Sequence, residues 1–266
     1  MIEKEITHID LFSGIGGFTL AGEWAGFRTV AFCEKEKFCQ KILQKRFGAF
    51  ITDPNKSRLQ IYRKKESLRQ QGTFSPSDSR NRGIPIIPEI RDFDGTKYRG
   101  ATLLTGGFPC QPFSYAGKRK GKKDDRYLWP EMLRVIGEAK PRWILAENVP
   151  GIFRMALDTV LADLEGEGYT TGTFIIPACG LNAPHRRNRV WIVAWNTERT
   201  GQQGCFMGQG EVQFRGTNTW NESWYEIATR FCRVDDGISD RIHRLKALGN
   251  AIVPQIAYEI LKNIAW

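Results

Sequence analysis

Cysteine and histidine are too sparse and too scattered in this chain to build a metal centre. The six cysteines stand at 33, 39, 110, 179, 205 and 232 without a Cys-x-x-Cys pair, and the three histidines, at 8, 185 and 243, lie far apart. No structural zinc site is expected, no metal is assigned, and the thiols are read as free in a reducing cytoplasm. Long apolar runs are missing too: no stretch reaches the roughly 18 residues of a membrane span, and the amino terminus does not read as a secretory signal. Acidic residues are in deficit, 29 against 39 Lys and Arg, for a formal charge of +10 and a pI near 9.4. That balance implies a polyanionic partner through counterion release, although charge alone does not separate DNA from RNA or an anionic membrane.

What is present is an alternation of strand and helix signals. Ile6–Phe12 reads as a strand entering the turn Ser13-Gly14-Ile15-Gly16-Gly17, and Phe18, Ala21, Trp24 and Ala25 then recur at helical spacing. Such a turn lets the backbone approach a ligand and points free amides at it. A nicotinamide-type fingerprint would need glycine at position 19, where Thr19 stands. Arg28–Cys33 is a second strand ending at Glu34, about 20 residues beyond the glycines, where a carboxylate can accept both ribose hydroxyls. Phe38, Ile42, Leu43 and Phe47 give the next helix an apolar face. A third strand is expected over Ile84–Ile90, irregular or at an edge because of Pro85 and Pro88.

Ala101–Leu104 is a short strand breaking at Gly106-Gly107 into a turn in which Pro109 and Pro112 bracket Cys110. Two prolines and Gln111 are poor surroundings for a core thiol, so Cys110 is read as a nucleophile at the rim of a sheet. A helix is expected over Leu128–Ala139 with Asp124 or Asp125 as its cap, and then a strand Trp143–Ala146 delivers Glu147. Desolvation there would raise the carboxyl pKa and let it carry a proton near neutrality. A helix Met155–Leu164, strands Tyr169–Cys179 and Val190–Trp195, and an amphipathic helix Ile252–Ile264 follow. Arg187 and Arg189 alternate along an extended chain and are expected to share a face. The pattern predicts an α/β fold, a doubly wound and mostly parallel sheet.

Gly107-Phe108-Pro109-Cys110-Gln111-Pro112-Phe113-Ser114 resembles the catalytic loop of the cytosine-C5 DNA methyltransferases, and Asp10-Leu11-Phe12-Ser13-Gly14-Ile15-Gly16-Gly17-Phe18 resembles their S-adenosylmethionine loop. Asp125-Arg126-Tyr127-Leu128, Glu147-Asn148-Val149, the arginines 187 and 189, and Leu248-Gly249-Asn250-Ala251-Ile252-Val253-Pro254 resemble further motifs in family order. The resemblance implies a Rossmann-like methyltransferase fold with S-adenosyl-L-methionine as cofactor. The cofactor set it implies is Phe12, Ser13, Gly14, Gly16, Gly17 and Phe18, with Phe12 or Phe18 packing on the cofactor. Glu34 joins it at the ribose, Glu89 where the family has an adenine-binding aspartate, Pro109, and Asn250, Ala251 and Ile252 near the methionine carboxylate. The implied catalytic set is Cys110, attacking carbon 6 of cytosine, Glu147, holding and protonating the base edge, and Arg187 with Arg189, steadying the loop and the base. The family has Gln where His185 stands. Gln111, Ser114, Lys118, Arg119, Lys120, Lys122 and Lys123 are the candidate DNA contacts, the lysine-rich run being placed to clamp phosphates.

Residues 1–195 are expected to form the catalytic and cofactor-binding domain, 196–240 a small target-recognition region, and 241–266 a segment returning to the catalytic domain. Within the first, 53–83 holds eight basic against three acidic residues and reads as a surface insertion, either a tolerated loop or an arm for phosphate contacts. Trp220, Trp224, Tyr225 and Phe231 serve either as a small core or as stacking platforms. The function implied is methyl transfer to carbon 5 of a flipped-out cytosine in double-stranded DNA by a monomer, with a restriction-endonuclease partner left open. The compact form resembles stand-alone phage or prophage enzymes, which points to the cytoplasm of a bacterium or phage-infected host. The alternatives are a transfer-RNA cytosine-C5 methyltransferase and a non-catalytic DNA-binding regulator that keeps the fold.

Overall fold

The structure, a computed structural model, describes residues 6–52, 83–109, 127–181, 183, 186–196 and 247–264. Its first strand, β1 (Thr7–Leu11), shows how the layers arise. Ile9 and Leu11 point to one side and enter a core with helix residues, while His8 and Asp10 point to the other. β1 pairs in parallel with β2 (Arg28–Cys33) on one side and with β5 (Leu103–Gly106) on the other. Beyond β2 lie β4 (Pro85–Ile87) and β3 (Phe50–Ile51), and beyond β5 lies β6 (Trp143–Asn148). β8 (Asn188–Asn196) is antiparallel to β6 and to the edge strand β7 (Tyr169–Pro177), giving the order β3-β4-β2-β1-β5-β6-β8-β7. The expected doubly wound, mostly parallel sheet is therefore present.

Both faces are covered, as a parallel sheet requires. On one, Trp129, Met132, Val135 and Ile136 of α3 (Trp129–Ala139) and Leu157, Val160 and Leu164 of α5 (Leu157–Gly166) meet Ile9, Leu104, Ile144 and Ile192. On the other, Phe18 and Ala21 of α1 (Gly17–Trp24) and Ile256, Ala257 and Leu261 of α6 (Pro254–Lys262) meet Leu103, Trp143, Leu145, Trp191 and Val193. α2 (Lys37–Phe47) seats Leu43 against Phe32 and Ile86. Each Val, Leu, Ile, Phe or Met side chain among these, fully withdrawn from water, contributes about 1.5–3 kcal/mol. Among the described residues no helix is long and apolar enough to cross a membrane, and no cluster of three or more metal-type ligands occurs.

The chain leaves β1 for β2 and the strands beyond it, then crosses back to β5 on β1's other side, with Leu11 beside Gly106. Ligands of such sheets bind at this reversal, outside the carboxyl ends of the strands.

Several boundaries differ from the sequence reading for local reasons. The third strand shrinks to Pro85–Ile87 and passes into a 3-10 turn, Ile90–Asp92, whose Ile90 and Phe93 carbonyls are held by Arg134. β3 was not foreseen, because two residues carry no readable period. β5 begins later than expected and runs through Gly106, since backbone pairing to β1 needs no side chain there. The strand expected at 143–146 continues to Asn148, so Glu147 lies inside it. The helix expected at 155–164 is two, α4 (Ile152–Met155) and α5, separated by Ala156 at φ −154°. α6 starts at Pro254, where proline suits a first turn, rather than at Ile252. Leu128, not an aspartate, occupies the cap position of α3, and Asp124 and Asp125 lie outside the described residues. Trp24, at the end of α1, is 46% exposed. Nearly all of the 53–83 and 196–240 regions also falls outside the described residues.

Gly16 caps α1 at φ 86°, and a Cβ there would run into the Phe47 ring and Leu43. Gly16→Ala should destabilise the fold by about 1–2 kcal/mol from the left-handed backbone alone, read as a lowered urea midpoint at unchanged m-value. An unchanged midpoint would show that this turn carries no conformational constraint.

Candidate functional site

The turn after β1 is built from left-handed residues, Phe12 at φ 53°, Gly14 at φ 53° and Gly16 at φ 86°. Ser13 ties it down: its Oγ donates to the Asp10 carbonyl at 2.6 Å and to the Cys33 carbonyl at 3.3 Å, and its amide donates to Cys33 O at 3.1 Å. Glu34, 8% exposed at the end of β2, accepts from the Gly14 amide on Oε2 and from the Glu36 amide on Oε1, each at 2.7 Å. Burial pushes its carboxyl pKa up, and these amide bonds oppose the shift. Gln40 Nε2 donates to the Glu34 carbonyl at 2.6 Å, a support that sequence reasoning did not identify.

A Cβ on Gly14 would meet none of the described residues within 4 Å, whereas one on Gly17 would strike Ile252. The carboxyl-terminal segment therefore closes over the start of α1. Phe12 is half-buried, but Phe18 is 3% exposed with its ring edge-on to Trp191 at 6.1 Å between centroids. Of the two aromatic candidates, Phe18 belongs to the core and Phe12 is the one nearer solvent. Glu89 pairs with Lys35 at 3.1 Å, and Asp92 is exposed in the following 3-10 turn.

At the neighbouring strand ends, Glu147 is 8% exposed and its Oε1 lies 2.8 Å from Arg189 Nε. Its pKa is raised, burial being the larger effect and the charges of Arg189 and Arg187 opposing it. A Cβ on Gly107 would sit 3.6 Å from Glu147 Oε2, so glycine leaves that flank of the carboxylate clear. Asn148, facing the other side of β6, donates from Nδ2 to the Phe108 carbonyl at 3.0 Å and accepts from the Val149 amide at 2.9 Å. The Phe108 ring packs 5.0 Å from that of Trp129. The main chain is thus held as far as Pro109. Asn148 was missed as a positioning group because an amide beside a site carboxylate is a weak signal until its partner, 40 residues earlier, is known.

Arg187 and Arg189 do not alternate along one extended strand as expected. β8 begins at Asn188, and Arg187 precedes it in a left-handed conformation, φ 34°. Arg187 donates to the Gly249 carbonyl at 2.8 Å and the Ala251 carbonyl at 2.7 Å, so it fastens the carboxyl-terminal segment while still facing Glu147 electrostatically. Asn250 is exposed, and Ala251 and Ile252 are half-buried. Cys110, Gln111, Ser114, Lys118, Arg119, Lys120, Lys122, Lys123 and His185 lie outside the described residues.

With this geometry established, comparison with known proteins gives a consistent answer. The family described as C-5 cytosine-specific DNA methylase matches residues 6–70 and 79–227. The Type II methyltransferase M.PspPI of Psychrobacter sp. (strain TA137) is 34% identical over 197 residues, 71% of this chain and 39% of that protein. M.NgoMIV of Neisseria gonorrhoeae is 30% identical over 201 residues, 74% of this chain and 54% of that protein. The chain spans about half the length, or less, of these curated relatives. The S. pombe Dnmt2 methyltransferase structure superposes with a TM-score of 0.53 at 18% identity, over 76% of this chain and 52% of that one, a likeness of fold.

Arg189→Gln should raise the Glu147 pKa further, because it removes the guanidinium that favours the carboxylate. Titration of the Glu147 carboxyl by carbon-13 NMR checks this, and a value that stays put or falls would mean the pair is not electrostatically coupled.

Proposed function

This chain belongs to the C-5 cytosine-specific DNA methylase family, and we propose that it transfers a methyl group from S-adenosyl-L-methionine to carbon 5 of a flipped-out cytosine in double-stranded DNA. The observation that carries the reading is Glu147, buried, raised in pKa and paired with Arg189, at the end of the strand next to the one that leads into Cys110.

The residues present fit the cofactor. Backbone amides of Gly14, Lys35 and Glu36 donate to the Glu34 carboxylate, which has about four lone-pair sites and so retains capacity for a ribose hydroxyl, and no described residue comes within 4 Å of a Cβ on Gly14 beside it. Phe12, Ser13, Gly14, Gly16 and Gly17 would form the cradle, with Glu89, Pro109, Asn250, Ala251 and Ile252 around it. Bound there, the cofactor supplies an electrophilic methyl group on a sulfonium.

The protein's own groups prepare the base to receive it. Cys110 adds as thiolate to carbon 6, forming a carbon–sulfur bond and pushing an electron pair into the ring. Glu147, its pKa raised by burial, protonates the ring nitrogen and holds the exocyclic amine, while Arg189 keeps the carboxyl oriented and meets the ring oxygen. Carbon 5 thereby becomes nucleophilic. After methyl transfer, loss of the carbon 5 proton to a base, departure of the Cys110 sulfur as thiolate and return of the ring-nitrogen proton to Glu147 restore the neutral aromatic ring. Arg187 holds the carboxyl-terminal segment against the site.

The target must leave the duplex, at a cost of a few kcal/mol. The net charge of +10 offsets part of this through phosphate contacts, for which Gln111, Ser114 and the Lys118–Lys123 run are the candidates. We assign residues 196–240 to target recognition and treat the protein as a monomer acting in the cytoplasm.

Cys110→Ala should lower methyl incorporation into duplex DNA by about a thousand-fold or more while cofactor binding stays measurable. Duplex carrying 5-fluorocytosine at the methylated position, which bisulfite sequencing identifies, should trap a covalent adduct through residue 110. Turnover persisting in the variant, or methylation of transfer RNA in preference to DNA, would overturn the reading.

A further inference from the structure

Five side chains form a closed circuit between the sheet and α1. His8 Nδ1 lies 2.9 Å from Thr29 Oγ1, and His8 Nε2 lies 2.8 Å from Thr105 Oγ1. Thr105 Oγ1 is 3.3 Å from Asp10 Oδ1, Thr19 Oγ1 is 2.8 Å from Asp10 Oδ2, and Thr29 Oγ1 closes the loop at 3.4 Å from Thr19 Oγ1. All five residues are buried. None holds the cofactor, the base or DNA in the reading above.

The fold brings them together by register. His8 and Asp10 alternate onto one face of β1, Asp10 stands opposite Thr105 on β5, and His8 opposite Thr29 on β2. The pairing slips by one residue between His8 and Ile9, which lets Thr29 share the circuit's side of the sheet while Ala31 joins Ile9 in the opposite core. Thr19 descends from the first turn of α1.

Each of the five contacts needs one proton. The three hydroxyls supply one each and a neutral imidazole one more, which makes four. His8 is neutral, since burial pushes its pKa down to about 3. The fifth proton exists only when Asp10 is a carboxylic acid, and every contact is then donated in one sense around the circuit, either from Asp10 Oδ1 through Thr105, His8, Thr29 and Thr19 back to Asp10 Oδ2 or in the reverse sense, with Thr105 donating to Asp10 Oδ1. With Asp10 ionised, Thr19 and Thr105 both donate to it, His8 donates to Thr105, Thr29 donates to His8, and the Thr29–Thr19 contact has no proton. That contact is the longest of the five and the one that joins α1 to β2.

We propose that this circuit holds Asp10 as a neutral carboxylic acid and that Asp10 and His8 are positioning residues, fixing the first turn of α1, and so the glycine turn before it, on the sheet. Burial raises Asp10 from its ordinary 3.8 to about 7, opposed by hydrogen bonds from Thr19 and Thr105 and aided by the charge of Glu34. Of the other ionisable groups on the surrounding elements, Cys33 on β2 is kept a thiol by burial, and Arg28 on β2 and Glu23 on α1 are exposed. β5 contributes none. Because the folded value lies above the unfolded one, the stability from Asp10 is full below about pH 4 and is lost as pH rises through about 7.

Carbon-13 NMR of the full chain labelled at aspartate carboxyls separates Asp10 from the buried glutamates. One resonance should titrate near neutrality, and aspartates that all titrate in the ordinary acidic range would overturn the proposal. Asp10→Asn supplies amide protons at every pH, so between about pH 5 and pH 8 the wild-type folding equilibrium constant should fall about a hundred-fold more than the variant's. Equal slopes would overturn it. Affinity for S-adenosylhomocysteine should weaken with rising pH in the wild type and stay flat in Asp10→Asn; this arm alone rests on the cofactor reading. Absence of binding by both proteins at every pH would sink that reading and leave the NMR and unfolding results to judge the circuit.

Discussion

The parallel pairing of β1 with β5 is the constraint on which the rest of the molecule depends. It sets Leu11 beside Gly106, so the turn that follows each strand opens on the same edge of the sheet at the point where the winding reverses. The glycine turn after β1 and the Gly107–Pro109 segment after β5 are thereby neighbours, although about ninety residues of chain separate them. β6 extends the same edge and adds Glu147. The antiparallel β8 then enters from the opposite direction, which is how the start of that strand, with Arg189, comes to stand against the end of another.

Three buried carboxyls along this edge, Asp10, Glu34 and Glu147, share one dominant effect, desolvation, and differ in what opposes it. Around Asp10 the partners are mainly neutral hydroxyls, which exchange donor and acceptor roles and so accommodate a protonated acid. Around Glu34 they are fixed backbone amides, which only donate and favour an acceptor poised for hydroxyl groups. Around Glu147 they are guanidinium groups, which restrain but do not cancel the upward shift. In the proposed roles the same side-chain chemistry would serve as a structural proton store, a hydrogen-bond acceptor and a proton donor, according to its second neighbours.

Arg187, Ile252 and Asn148 give these pieces a common frame. Arg187 grips the carbonyls of Gly249 and Ala251, Ile252 rests on Gly17, and Asn148 holds the Phe108 carbonyl. The glycine turn and the strand ends that carry Glu147 and Arg189 are in this way bonded through the carboxyl-terminal segment as well as through the sheet. A disturbance of one side has a physical route to the other, made of hydrogen bonds and a single tight packing contact.

Local pattern in the sequence determined the strand–helix alternation, the glycine turn, the carboxylates at strand ends and the proline-bracketed thiol, because periodicity, turn residues and motif strings involve neighbours in the chain. It misjudged the ends of elements, as at Ala156 and Gly106, where tertiary pairing overrides propensity. It placed Arg187 on an extended strand, for nothing nearby announces a left-handed residue. Only the tertiary structure decided that Phe18 is core, that Asn148 serves the loop before Cys110, and that His8 meets Thr105 across 97 residues. Those bonds depend on sheet register and on which face a side chain takes, and a one-residue slip of the kind seen beside His8 changes both without leaving a mark in the composition.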